Sequence, residues 1–89
     1  MMKFGLSLDV FKSMLAAQNS QCAICTLTIT ELTACVDHDH ATGRVRGLLC
    51  SGCNSGLGFF RDNCLSLEGA IRYLKQDAEI RGSMARAAG

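Results

Sequence analysis

Two Cys-x-x-Cys pairs, Cys22-Ala-Ile-Cys25 and Cys50-Ser-Gly-Cys53, lie far apart in a chain of only 89 residues. Each pair can grip an ion from one side, and together they supply four thiolates for one closed tetrahedral zinc site. The pairs must then converge in space, whatever the residues between them do. So short a chain buries too little apolar surface to be comfortably stable on its core alone, and a metal staple meets that need. Six cysteines also allow three disulfides, and Cys-x-x-Cys occurs in redox dithiols and iron–sulfur proteins as well. Two matched knuckles favour zinc. Cys35 and Cys64 are left over, and with apolar or small neighbours each is expected to act as a small buried hydrophobe.

The rest of the chain reads as a small α+β protein. Ser7 is suited to cap a helix in which Leu8, Phe11, Met14 and Leu15 recur at helical spacing, predicting a helix from about Leu8 to Gln18. Asn19-Ser20-Gln21 ends it and delivers the first knuckle. Thr26 to Thr33 fits a strand or an irregular loop equally. Ala34 to Asp37 reads as the first strand of a hairpin, Ala41-Thr42-Gly43 as its turn with Gly43 at positive φ, and Arg44 to Leu48 as the return strand. The second knuckle opens a short helix to about Phe60, in which Gly56 and Gly58 suggest a close approach of its backbone to something else. Ser66 is expected to cap a last helix whose stripe of Leu67, Ala70, Ile71, Leu74 and Ala78 belongs to the core. Residues from about 81 to 89 read as a flexible tail.

No apolar run approaches the roughly 20 residues needed to cross a bilayer. Met1-Met2-Lys3-Phe4-Gly5 has no apolar block or small-residue cleavage site behind it, so no secretory signal is expected. One cytoplasmic domain spanning 1–89, without a membrane partner, is the expectation. The formal net charge of +1 does not by itself point to a polyanionic partner. Placement says more, because Arg44, Arg46, Arg61, Arg72, Lys75, Arg81 and Arg86 all follow the Asp-His run described next. A basic face and an ordinary mixed-charge helix surface both fit that distribution.

Between the knuckles lies Val36-Asp37-His38-Asp39-His40, the carboxylates and imidazoles that metal-assisted hydrolysis uses. The hairpin and the following helix bring Asp37, His38 and Asn54 around one point. With Gln18 before Cys22-Ala-Ile-Cys25, Thr42-Gly43 and Val45-Arg46-Gly47-Leu48-Leu49-Cys50 after the run, then Cys53-Asn54, Leu57-Gly58 and Tyr73-Leu74, the chain resembles the recombination endonuclease VII family of bacteriophages. That family is a branch of the HNH, or His-Me finger, nucleases. The resemblance covers roughly Leu6 to Leu74 and implies a zinc-stapled ββα-metal core with flanking N- and C-terminal helices.

Matched position by position, the resemblance makes Cys22, Cys25, Cys50 and Cys53 ligands of a structural Zn²⁺. It makes Asp37 and Asn54 ligands of a catalytic Mg²⁺ or Mn²⁺, and His38 the general base. Arg46 would clamp a DNA phosphate, and His40 would bind phosphate or steady the site. The implied activity is metal-dependent hydrolysis of DNA phosphodiester bonds in a bacterial host, by a phage- or prophage-encoded enzyme. Larger family members resolve branched DNA as intertwined dimers, which raises a homodimer here. Nicking or cutting of duplex DNA with little sequence preference is the narrower expectation. The alternative is a zinc module that binds nucleic acid without cutting, or an accessory of phage assembly or packaging.

Overall fold

Helix α1 spans Leu8–Ala17 because Ser7, in extended conformation, accepts the Val10 N–H on its hydroxyl at 3.2 Å while Phe11 turns inward. The computed structural model describes the backbone of residues 6–88 and the side chains of residues 6–76. Gln18 caps the helix, and Asn19 and Ser20 take positive φ of 53° and 55°, a sharp exit that turns the chain into the first knuckle. The segment that sequence alone left open between strand and loop is irregular. Its ordered part is a bridge between Gln21 and Thr28, with Ile29 N–H donating to Ser20 O and Cys22 N–H to Leu27 O, so the knuckle sits at the tip of a narrow loop.

Strands β1 (Cys35–His38) and β2 (Val45–Leu49) form an antiparallel hairpin, each offset by one residue from expectation. Asp39 organises its turn: Oδ1 accepts from Ala41 N–H at 2.8 Å and Thr42 N–H at 3.1 Å, and Gly43 supplies φ of 75°. This is the side-chain-to-backbone bonding that short acidic residues offer in turns. The register contains a bulge. Asp37 pairs with Gly47 but His38 pairs with Val45, so the register passes over Arg46.

Phe11, Ile29, Ala34, Val36, Leu48 and Leu49 form the core, and Cys22 and Cys50 are buried in the same cluster. The four-cysteine site is therefore an extension of the apolar core. Helix α2 (Ser51–Phe59) begins at the second knuckle. Among the described residues Gly56 and Gly58 do not mark a close approach: a Cβ at either would meet nothing within 4 Å. Gly47 is the more crowded position, where a Cβ would lie 3.5 Å from Gln18 Oε1.

By backbone contacts the chain divides into residues 1–58 and residues 59–89. The second unit is a turn at Arg61 and Asp62, both at positive φ, followed by α3 (Cys64–Ala88). Expectations change here. Asn63, not Ser66, caps α3, its Oδ1 accepting the Ser66 N–H at 3.1 Å. The stripe assigned to the core is largely uncovered, with Ile71 53% and Leu74 63% exposed and Leu67 and Ala70 half-buried; Ala78 lies outside the described side chains. Helical periodicity groups apolar residues on one face without supplying the surface that covers it. Cys64, expected to be buried, is exposed, whereas Cys35 is half-buried. The helical backbone continues through the segment expected to be a tail, up to Ala88.

Candidate metal centre and active site

The two knuckles bring the sulfurs of Cys22, Cys25, Cys50 and Cys53 within 4.8 Å of one another, with 3.7 Å between Cys25 Sγ and Cys50 Sγ. Four sulfurs bound to one zinc stand about 3.8 Å apart, the edge of a tetrahedron with bonds of about 2.3 Å. The cluster fits that ion. Ile24 N–H points to Cys22 Sγ at 3.5 Å and Cys53 N–H to Cys50 Sγ at 3.4 Å, so the Cys50 sulfur also serves the first turn of α2. Ala23 N–H donates to Leu48 O, tying the first knuckle to β2 next to the second.

The thiols argue for a cation in the same way. Burial pushes Cys22 up, but N–H groups of Cys25, Cys50 and Ile24 pull harder in the other direction, and its pKa falls to about 6. Cys53 is pushed up to about 12, first by its hydrogen bond with Cys50, then by burial and the remaining sulfurs. One thiolate forms readily; a fourth beside three others needs compensating positive charge, which a divalent metal supplies.

The hairpin carries the second constellation. Arg46 grips the half-buried Asp37 with both arms of its guanidinium, Nε donating to Oδ2 at 2.7 Å and Nη2 to Oδ1 at 3.0 Å. The bulge makes this reach available, because regular alternation would place Arg46 on the face opposite Asp37. His38 follows at the end of β1, and its ring meets that of His40 edge to face with centroids 4.9 Å apart. Asp39 is held below its ordinary carboxylate range, first by the Thr42 and Ala41 N–H groups and then by the nearby charges of Arg46 and His40.

A cleft of about 270 Å³ opens on this face, with Ala23, Ile24, Leu49 and Leu57 as apolar walls and Asp37 and Arg46 at its polar end. Leu57 is a residue of α2, so the cleft joins that helix to Asp37. Asn54, in the first turn of α2, lies three residues before Leu57 and thus on the same flank of the helix; its N–H donates to Cys50 O at 3.0 Å. The structure thus gathers the four cysteines, pairs Asp37 with Arg46 and pairs His38 with His40. What sequence reasoning missed is the Asp37–Arg46 pair, together with Gln18, whose side chain bonds the backbone of Leu48.

A profile of recombination endonuclease VII matches residues 1–76. The chain belongs to the recombination endonuclease VII family. Among relatives of this family member, the Gene 59 protein of Mycobacterium phage D29 is 36% identical over 80 residues, covering 88% of this chain and 48% of that protein. The Gene 59 protein of Mycobacterium phage L5 is 40% identical over 73 residues, covering 80% of this chain and 44% of that protein. The chain thus spans a little under half the length of these curated relatives. Among solved structures, the ββα-Me type II restriction endonuclease Hpy99I matches with a TM-score of 0.59 and 38% identity, over 80% of this chain and 42% of that one. The hairpin followed by α2 is therefore the ββα-metal fold. Among the described residues, no helix is long and apolar enough to cross a membrane.

Proposed function

We propose that this endonuclease VII family member is a metal-dependent DNA endonuclease of phage or prophage origin, acting in the cytoplasm of a bacterial host. Residues 1–89 would work as one HNH, or His-Me finger, nuclease domain that nicks or cuts duplex or branched DNA. The observation that carries the reading is the bulged hairpin. It sets side by side a carboxylate that already engages a cationic group and an imidazole backed by a second one. Family membership and the likeness to Hpy99I support it.

In this reading Cys22, Cys25, Cys50 and Cys53 hold Zn²⁺, which fastens the hairpin to α2 and has no part in the chemistry. Asp37 and Asn54 offer a carboxylate and an amide oxygen, a hard donor set that suits Mg²⁺ or Mn²⁺, and Asp37 already balances positive charge. A divalent cation held there would neutralise charge on the scissile phosphate. His38 takes a proton from water onto a ring nitrogen as the water oxygen attacks phosphorus in line and the bond to the 3′ oxygen breaks. The departing 3′ oxygen takes a proton from solvent water, so the products carry 5′-phosphate and 3′-hydroxyl ends. Arg46 binds a flanking phosphate through its paired N–H donors, and His40 steadies His38 from the turn.

The test is incubation of the purified, zinc-loaded protein with supercoiled plasmid and Mg²⁺ or Mn²⁺. Conversion to open-circular or linear DNA that stops when the divalent ion is withheld is the expected result. Binding of plasmid without any cutting would favour a non-catalytic zinc module.

A further inference from the structure

We infer that Arg46 is a positioning residue that exchanges between the Asp37 carboxylate and a DNA phosphate, so that divalent-cation loading and DNA binding are coupled at this site. The inference rests on the nuclease reading above and names a regulation of the same site.

Both Asp37 oxygens receive a guanidinium N–H in the DNA-free chain, at 2.7 and 3.0 Å. That is the bidentate fork geometry arginine makes equally well with carboxylate and with phosphate. The Asp37 side chain is only 12% exposed, while that of Arg46 is 32% exposed, so the pair opens toward solvent on the arginine side. A cation that used the same carboxylate would find a fixed positive charge within a few ångströms, weakly screened by solvent. The repulsion acts both ways: Arg46 lowers the affinity of Asp37 for the cation, and the cation drives Arg46 off.

A phosphate arriving at the cleft bounded by Asp37 and Arg46 matches the fork and vacates the carboxylate in one exchange. Arg46 stands at the bulge, where the register passes from Asp37–Gly47 to His38–Val45, so displacement of its side chain leaves both pairings in place. By linkage, whatever DNA does to cation affinity the cation does equally to DNA affinity.

The test has two readouts that do not depend on cutting, both on the zinc-loaded full chain. Calorimetric titration with Mn²⁺ in the absence of DNA should show Arg46→Gln binding the ion about tenfold tighter than wild type, with Arg46→Lys between them because an ammonium cannot hold both oxygens. In Mn²⁺-free buffer, anisotropy of a labelled duplex should show Asp37→Asn raising DNA affinity about tenfold when Arg46 is present and only about twofold in the Arg46→Gln background. The smaller gain is the plain effect of removing a negative charge. Equal gains in both backgrounds, or an Arg46→Gln protein that binds Mn²⁺ no better than wild type, would overturn the inference and leave the nuclease reading intact. Wild-type Mn²⁺ affinity in Asp37→Asn would overturn both, because Asp37 would then hold no cation.

Discussion

The side-chain amide of Gln18 bonds the backbone of Leu48 at both ends, Nε2 donating to Leu48 O at 2.9 Å and Oε1 accepting the Leu48 N–H at 3.0 Å. Leu48 is fully buried, and these are the groups that face away from β1. The amide stands in for a third strand at the open edge of the hairpin, and its Nε2 also reaches Gln21 O at 2.8 Å. It therefore joins the end of α1, the start of the first knuckle and β2.

Gln18→Ala should leave the buried Leu48 N–H unsatisfied, while the Leu48 carbonyl keeps the Ala23 N–H, and cost about 1–3 kcal/mol of stability. Gln18→Glu should cost at least as much, since a carboxylate keeps the acceptor but turns the donor into a negative group facing the Leu48 carbonyl. Chemical denaturation of the zinc-loaded proteins checks both. A Gln18→Ala midpoint equal to wild type would mean that water replaces the amide without loss.

The zinc site predicts about one zinc per chain by elemental analysis. Cys22→Ser and Cys53→Ser should lose metal and fold together, because metal-binding free energy in so small a domain is folding free energy. Cys35→Ala and Cys64→Ala should retain the metal. Loss of zinc from either of the last two would move the ligand set.

Asp39 gives a pH prediction. Its folded pKa is depressed, so the stability it confers is present above the ordinary carboxylate range and is lost only as pH falls through the depressed value. The loss of stability in Asp39→Ala should therefore not shrink between pH 8 and 6. Asp39→Asn, which keeps an oxygen for the Ala41 and Thr42 N–H groups, should be the milder change. A difference that shrinks across that pH window would contradict the assignment.

Much of this arrangement is legible in the chain because it depends on local chemistry. The spacing within each knuckle, the Ser7 cap, the Gly43 turn and the short α2 all follow from residues a few positions apart. The Asp37–Arg46 pair does not, because alternation along a regular strand sends Arg46 to the other face and only a one-residue slip in register brings it back. The Gln18 clamp spans two elements, and its outward polarity looks like that of any helix-terminal glutamine. Periodicity in α3 reports which residues share a face, and is silent on whether another surface covers that face; hence Ile71 and Leu74 read as core and are exposed. Asn63 and Ser66 are both good caps, and the positive φ at Arg61 and Asp62 decides for Asn63 by turning the chain immediately before it.

Asp37→Ala and Asn54→Ala should keep zinc and fold but weaken binding of the divalent cation, so that DNA cleavage recovers in part at high Mg²⁺ or Mn²⁺. Circular dichroism and zinc content establish the first half, and a metal titration of plasmid cleavage the second. Unfolding of either variant would place that residue in the framework of the fold instead.

The general-base role of His38 is the centre of the account, and single-turnover cleavage of supercoiled plasmid by His38→Ala tests it most directly. With zinc content and duplex affinity unchanged, the rate should fall by roughly 10²- to 10⁴-fold, the range typical for removal of a general base. His40→Ala, measured in parallel, should lose less. A His38→Ala protein that cuts at the wild-type rate would contradict the mechanism.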